Sequence, residues 1–249
     1  MVAHKGSHSP ARAASRRQAL RSRLRSWQEL TREPGLTALL VIEVVLIFVV
    51  IPLTGMGVIS QLIMPAMFVI LVLAILVVTW HNYFATLAVT VAVLLSPLGT
   101  FAQDENPSVL TDWLSAAGRL IALTAVSLTI AHAVFGAGRV SFHRVQGAIL
   151  LYLNFGLFFF TIYRLLGELV PNAFNGLPPS GQEYGSGAAL LYFSFSTLST
   201  LGYGDITPVN PLVRNLANLE AIIGQLYPAT LLARLVSLEI EHRRDVKRD

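Results

Sequence analysis

Residues 196–208 read STLSTLGYGDITP, and the oxygen-bearing groups of this stretch set the first question of chemistry. Gly202 and Gly204 flank Tyr203, and glycine takes positive φ without a Cβ penalty. Two such positions let successive carbonyls turn toward one axis. The carbonyls of Thr200, Leu201, Gly202 and Tyr203, with the Thr200 hydroxyl, would then offer a ladder of neutral oxygens. Such oxygens can replace the hydration shell of a dehydrated cation. Tyr203 would point its ring away from the axis and brace the loop, and Gly204 and Asp205 would close its outer mouth. The competing reading is a surface hairpin turn, which glycine pairs often mark.

The surroundings decide between the two. The chain has 249 residues, 54% apolar and 13% charged, with mean hydropathy +0.62. That composition lies outside the range of soluble domains and inside that of membrane proteins. Apolar runs at 36–53, 61–79, 83–98, 114–135, 145–170 and 212–240 approach or exceed the roughly 20 residues that cross a bilayer as a helix. Between the last two lies a shorter apolar stretch, 187–199, about 20 Å long as a helix at about 1.5 Å per residue. It is too short to span. Irregular backbone at membrane depth is tolerated only where protein buries it or where it lines a watery path. A half-length helix followed by the glycine-bearing loop therefore predicts a re-entrant segment, and a hairpin would leave that helix unexplained.

Charge sets the orientation. Eight basic residues (Lys5, Arg12, Arg16, Arg17, Arg21, Arg23, Arg25, Arg32) precede Pro34, against Glu29 and Glu33. Arg139 and Arg144, and Arg243, Arg244, Lys247 and Arg248, make two further basic connections. The segments with Asp104, Glu105 and Asp112, and with Glu168 and Glu183, are acidic. Six spans with both termini inside satisfy the positive-inside rule. The segment 171–187, rich in Pro, Gly, Ser and Asn, is expected to be an outer loop. Leu20, Leu24, Trp27 and Leu30 recur at helical spacing among arginines, which suits a helix on an anionic inner leaflet; a disordered basic tail is the alternative.

The hexad Thr200–Asp205, the preceding residues 192–199 and the flanking helices resemble the pore module of tetrameric potassium channels over 145–240. Leu201 stands where valine is commoner, Tyr192 and Phe193 replace the usual tryptophans, and Ser196 stands where some members carry a glutamate bonded to the filter aspartate. The resemblance implies an all-α membrane protein of six transmembrane helices, with a re-entrant pore helix and selectivity filter between the last two. It implies a homotetramer, since one chain supplies one pore loop, and K+ as the ion held by Thr200, Leu201, Gly202 and Tyr203. The organisation expected is a basic cytoplasmic segment (1–34), a four-helix membrane domain (35–136), a basic connector (137–144), the pore domain (145–240) and a short cytoplasmic tail (241–249).

Within the last span Gly224 and Pro228 are candidate hinge residues, because a proline inside a helix removes a hydrogen bond and invites a kink. Close helix packing at Gly224 is the alternative. Leu231, Leu232 and Leu235 are candidates for an inner constriction. Glu220 lies one turn before Gly224 and is expected to accept hydrogen bonds from Ser194 or Ser196, supporting the filter with Tyr192, Phe193 and Ser196. In the fourth span Arg119 and His132 fall short of the arginine ladder that voltage sensing needs. Glu43, in the first span, is expected to pair with His132 by depth.

Other classes of function find little in the residues. His4, His8, His81, His143 and His242 have no metal-ligand spacing, and no phosphate loop or nucleophile-base pair is present, so no enzyme and no organic cofactor is expected. The arginines near the membrane are accounted for by topology without nucleic acid. The expected location is a plasma membrane, prokaryotic in type, with both termini cytoplasmic. A non-conducting scaffold or receptor on a pore-like fold, and a poorly selective cation channel, are the rival readings.

Overall fold

The computed structural model describes residues 36–56, 58, 70–71, 74–76, 86–87, 90–91, 109–135, 142–178 and 183–246. Helix α1 is Leu36–Thr54, α2 is Val109–Phe135 and α3 is Phe142–Leu169. Strand β1 (Phe174–Asn175) follows, then α4 (Glu183–Leu198), strand β2 (Thr207–Pro208) and α5 (Pro211–Val246).

Local chemistry accounts for several of these boundaries. Pro52 has no amide to donate inside α1, and the turn before it, Leu46–Val50, widens to a π-helical turn in which the Ile51 amide reaches back to the Leu46 carbonyl. At the start of α5, Pro211 occupies the first turn, where a missing amide costs nothing, and the Asn210 side chain accepts from the Leu212 amide at 2.9 Å. Pro228 lies inside the same helix, which nevertheless continues as one element to Val246.

Helices α1, α2, α3 and α5 meet in one apolar cluster. Leu36 and Leu39 pack with Val126, Ile130 and Val134 of α2 and with Ala148, Leu150 and Leu151 of α3, and Tyr227 and Leu231 of α5 lean on it. A second cluster joins α3, α4 and α5 nearer the other end of the bundle, through Phe159, Tyr163, Leu190, Phe193, Val213 and Ala217. It positions α4 between its neighbours, because Phe193 makes edge contacts with both Tyr163 and Phe174.

Two described helices, Leu36–Thr54 and Arg144–Leu169, are long and apolar enough to cross a membrane. The expected spans at 61–79 and 83–98 fall largely outside the described residues; the pieces described there, 70–71, 74–76, 86–87 and 90–91, are helical. The basic segment 1–34 also lies outside them. Six spans are therefore more than the described residues display. Helix α5 is long enough to cross, yet it is the least apolar of the long helices, since Asn215, Asn218, Glu220 and Gln225 interrupt it. Such a helix suits a place among other protein segments or beside water better than one facing lipid all round.

The outer segment differs from the expected loop over 171–187. Its Phe174–Asn175 pairs antiparallel with Thr207–Pro208, and α4 already begins at Glu183. At the other end α5 runs six residues past the expected boundary at Ile240.

Candidate ion-conduction site

Helix α4 ends at Leu198, and its last carbonyls hold the loop that follows. The Ser196 carbonyl accepts from the Leu201 amide at 2.8 Å and from the Gly202 amide at 3.2 Å, and the Thr197 carbonyl accepts from the Thr200 amide at 2.9 Å. These amides are turned back toward the helix end. Thr200, Gly202 and Gly204 have φ of 58°, 56° and 81°, while Leu201 and Tyr203 between them do not have positive φ. Left-handed and ordinary conformations therefore alternate along five residues. In an ordinary strand successive carbonyls point opposite ways; alternating the hand of φ turns them toward the same side.

The two glycines adopt this conformation freely, but Thr200 does not. A β-branched residue at positive φ is an outlier, costing about 1–3 kcal/mol unless its surroundings enforce it. Glycine spacing alone gave no sign of it. Strain of this kind concentrates at functional sites, and here it falls at the start of the loop, next to α4. The Thr200 hydroxyl lies 3.5 Å from the Gln225 amide nitrogen of α5.

The far end of the loop is tied by aromatic residues. Tyr203 stacks on Tyr192 of α4 with ring centroids 6.1 Å apart and planes 12° from parallel. The Tyr192 hydroxyl donates to Asp205 Oδ1 at 3.1 Å. Tyr192 thus reaches the loop aspartate from α4, with Ser196 serving the loop through its backbone carbonyl. The β1–β2 pair brings the outer segment against the same end, and Gly176 (φ +83°) is needed there, because a Cβ would stand 2.0 Å from the Asp205 carbonyl oxygen. The Asn175-Gly176 dipeptide is a turn signal that sequence reading could have caught.

Behind α4 a buried carboxylate joins three helices. Glu220 of α5 accepts from Ser194 Oγ of α4 at 2.5 Å and from the Tyr163 hydroxyl of α3 at 2.7 Å, and Ser194 Oγ also lies 2.8 Å from the Gly156 carbonyl. Ser194 is thus the α4 hydroxyl that meets Glu220. Two further tyrosines that the sequence reading did not single out fasten the frame. Tyr152 donates to the Leu198 carbonyl at 3.2 Å, and Tyr227 donates to the Ala148 carbonyl at 2.9 Å while stacking on Tyr152.

Glu43 and His132 do not form the expected pair. Glu43 is buried, with Asn154 Nδ2 of α3 at 3.4 Å from both carboxylate oxygens. His132 is exposed near the end of α2, and no hydrogen bond or ion pair joins it to Glu43. Depth matched them, but the helix faces do not.

The candidate hinge and constriction residues separate. Gly224 is buried against the Leu198 carbonyl, where a Cβ would stand 1.8 Å from the oxygen, so close packing by itself requires glycine there. Pro228 is exposed. Leu231 packs onto the cluster formed by α1, α2 and α3, whereas Leu232 is 64% exposed, so the two do not share a face. The side chain of Leu235 lies outside the described set.

Residues 147–240 match the family model described as "Ion channel". The inward rectifier potassium channel Kirbac3.1 of Paramagnetospirillum magnetotacticum is 34% identical to this chain over 76 residues. That alignment covers 30% of this chain and 23% of the relative, so the chain spans about a quarter of that protein. No solved structure matches the chain. The matched segment runs from α3 through α4 and its loop to α5, and contains every loop residue described above. The ion channel likeness, with two helices among the described residues long and apolar enough to cross a membrane, points to a membrane channel protein and away from an enzyme.

Proposed function

We propose that the chain is one subunit of a potassium-selective channel that conducts K+ passively and assembles as a homotetramer. The observation that carries the reading is the alternation of φ at Thr200, Gly202 and Gly204 above an α4 terminus that holds the loop amides. With the amides turned back, the carbonyls of Thr200, Leu201, Gly202 and Tyr203 are free to serve as ligands, and one chain supplies too few of them to surround an ion. Four chains around an axis would supply complete rings. Leu201 and Tyr203, 58% and 68% exposed in the single chain, are where neighbouring copies would close. Gly204 and Asp205 form the outer mouth.

In this reading α5 lines the path below the filter, which accounts for its polar residues, and Pro228 is the remaining candidate for a bend. Leu232 and Leu235 are assigned to the inner constriction. Helix α2 carries a single arginine, Arg119, so strong voltage gating is not part of the reading. The basic segment 1–34 is assigned to the cytoplasmic face of a prokaryotic plasma membrane, against anionic lipid. The test is flux from liposomes holding the purified full chain, with K+ and Na+ gradients compared. Fast K+ flux with little Na+ flux supports the proposal, equal fluxes make it a poorly selective cation channel, and none leaves a scaffold.

A further inference from the structure

We infer that α1, which lies outside the segment matched to ion channels, positions the filter through the pore helix, with Ile47 and Phe48 as the positioning residues. The inference rests on the channel reading above. Ile47 is 3% exposed and packs with Leu153 of α3 and Leu191 of α4, beside Phe195. The Phe48 ring lies 5.7 Å from the Phe195 ring, tilted by 57°. Phe195 is also pressed on α3, since a Cβ on Gly156 would come within 2.6 Å of its ring. One aromatic side chain of the pore helix therefore has α1 and α3 against it.

The path from that ring to the filter is short. The Phe195 carbonyl accepts from the Ser199 amide at 3.0 Å and from Ser199 Oγ at 2.7 Å. The next carbonyl, that of Ser196, holds the amides of Leu201 and Gly202. Moving the Phe195 ring moves the last turn of α4, and with it the acceptors that orient the filter carbonyls. Helix α1 is itself fixed for this contact. Glu43 is held by Asn154 on α3, and the π-helical turn Leu46–Val50 begins one turn later, changing the face that α1 presents at the height of Phe195. π-helical turns are frequent at functional positions, and this one contains both contact residues. The exposed side of α1 carries Val41, Val44, Val45 and Val49 together with Phe48, which is itself 55% exposed, so the helix joins a bilayer-facing apolar surface to the filter.

The test records currents from the full-length protein in planar bilayers, reading the K+/Na+ permeability ratio from reversal potentials and the open probability at fixed K+. Phe48→Ala is expected to change one of these by about threefold or more, the scale of a lost aromatic pair, while Phe48→Trp, which keeps a ring, behaves as wild type. Phe195→Ala should do the same, with the double variant no worse than the stronger single one. Where Phe48→Ala fails to assemble, Phe48→Leu reads the same quantities and is expected to show an intermediate change. Wild-type values in Phe48→Ala, or in Phe48→Leu where that stands in, overturn the inference, as do effects that multiply in the double variant. A wild-type protein without K+ selectivity sinks the channel reading instead, which keeps the two failures distinct.

Discussion

Gly224 of α5 lies against the carbonyl of Leu198, the last residue of α4, with space for a hydrogen and none for a methyl group. The same carbonyl accepts the Tyr152 hydroxyl from α3. Three helices therefore converge on one backbone oxygen directly before the glycine-bearing loop. Gly224→Ala would force α5 away from backbone atoms, which cannot swing aside as a side chain does. The expected result is a loss of about 1–3 kcal/mol of stability together with impaired selectivity, seen as a lower melting temperature of the assembled protein and a reduced K+/Na+ flux ratio. Pro228→Ala separates this from hinging. It restores a helical hydrogen bond at an exposed site, so melting should not fall and ion preference should hold while open probability shifts.

The Tyr192–Asp205 bond is exposed and joins neutral donor to acidic acceptor at 3.1 Å. Tyr192→Phe keeps the stacking on Tyr203 and removes only the hydroxyl. The expected cost is about 0.5–1.5 kcal/mol of filter stability, up to roughly tenfold in the equilibrium between conducting and collapsed loops. Decay of current after lowering external K+ measures it, and Tyr192→Phe should decay faster than wild type.

Gly202 presents a different case from Gly224. Nothing lies within 4 Å of where its Cβ would stand, so Gly202→Ala meets no clash within the chain, and its cost comes from φ +56° alone, about 1–2 kcal/mol. Thr200 already holds such a φ. Loss of most K+ flux with tetramers intact is expected, measured by liposome flux and by the mass of the assembly. Replacing Thr200 by glycine should relieve strain and stabilise the loop while removing the hydroxyl ligand, a split that melting and flux resolve together.

Voltage should move this protein little. Each charge crossing the whole field is worth about 2.3 kcal/mol per 100 mV, and steep gating needs several. Arg119 is the sole arginine of α2. Open probability recorded between about −100 and +100 mV should therefore stay nearly flat.

The short helix and its glycine-bearing loop were legible because glycine spacing and an apolar half-helix are local signals, and α4 with its loop lies at those positions. What escaped were contacts that depend on helix rotation. Glu43 and His132 match in depth, yet a helix turns about 100° per residue, so the face each presents is fixed by packing partners elsewhere in the chain. Tyr152, Tyr163 and Tyr227 look like ordinary membrane aromatics in sequence, and only the arrangement of α3 against α4 and α5 gives each hydroxyl its acceptor. Gly224 could be read as hinge or as packing, and the approach of Leu198 from a distant segment provides the reason for packing.

Glu220 offers the sharpest test of that frame. Its two carboxylate oxygens accept two hydroxyls, from Ser194 and Tyr163, and the group is wholly buried. Glu220→Gln preserves volume, and its NH2 can face Ser194, whose oxygen accepts while its hydrogen turns to the Gly156 carbonyl, leaving the Gln oxygen to accept from Tyr163. A loss of about 0.5–1.5 kcal/mol is expected as bonds to a carboxylate become bonds to a neutral amide. Tyr163→Phe removes one donor and leaves the carboxylate with Ser194, at about 1 kcal/mol for one interhelical bond inside a membrane. In the Gln background Tyr163→Phe removes only a neutral bond in place of one to a carboxylate, so the combined loss should be smaller than the sum of the two. Thermal melting of the detergent-solubilised assembly for the two single variants and the double one supplies the cycle. Additive losses would mean that Tyr163 and Glu220 do not act on one another, and that the carboxylate holds the pore helix through Ser194 alone.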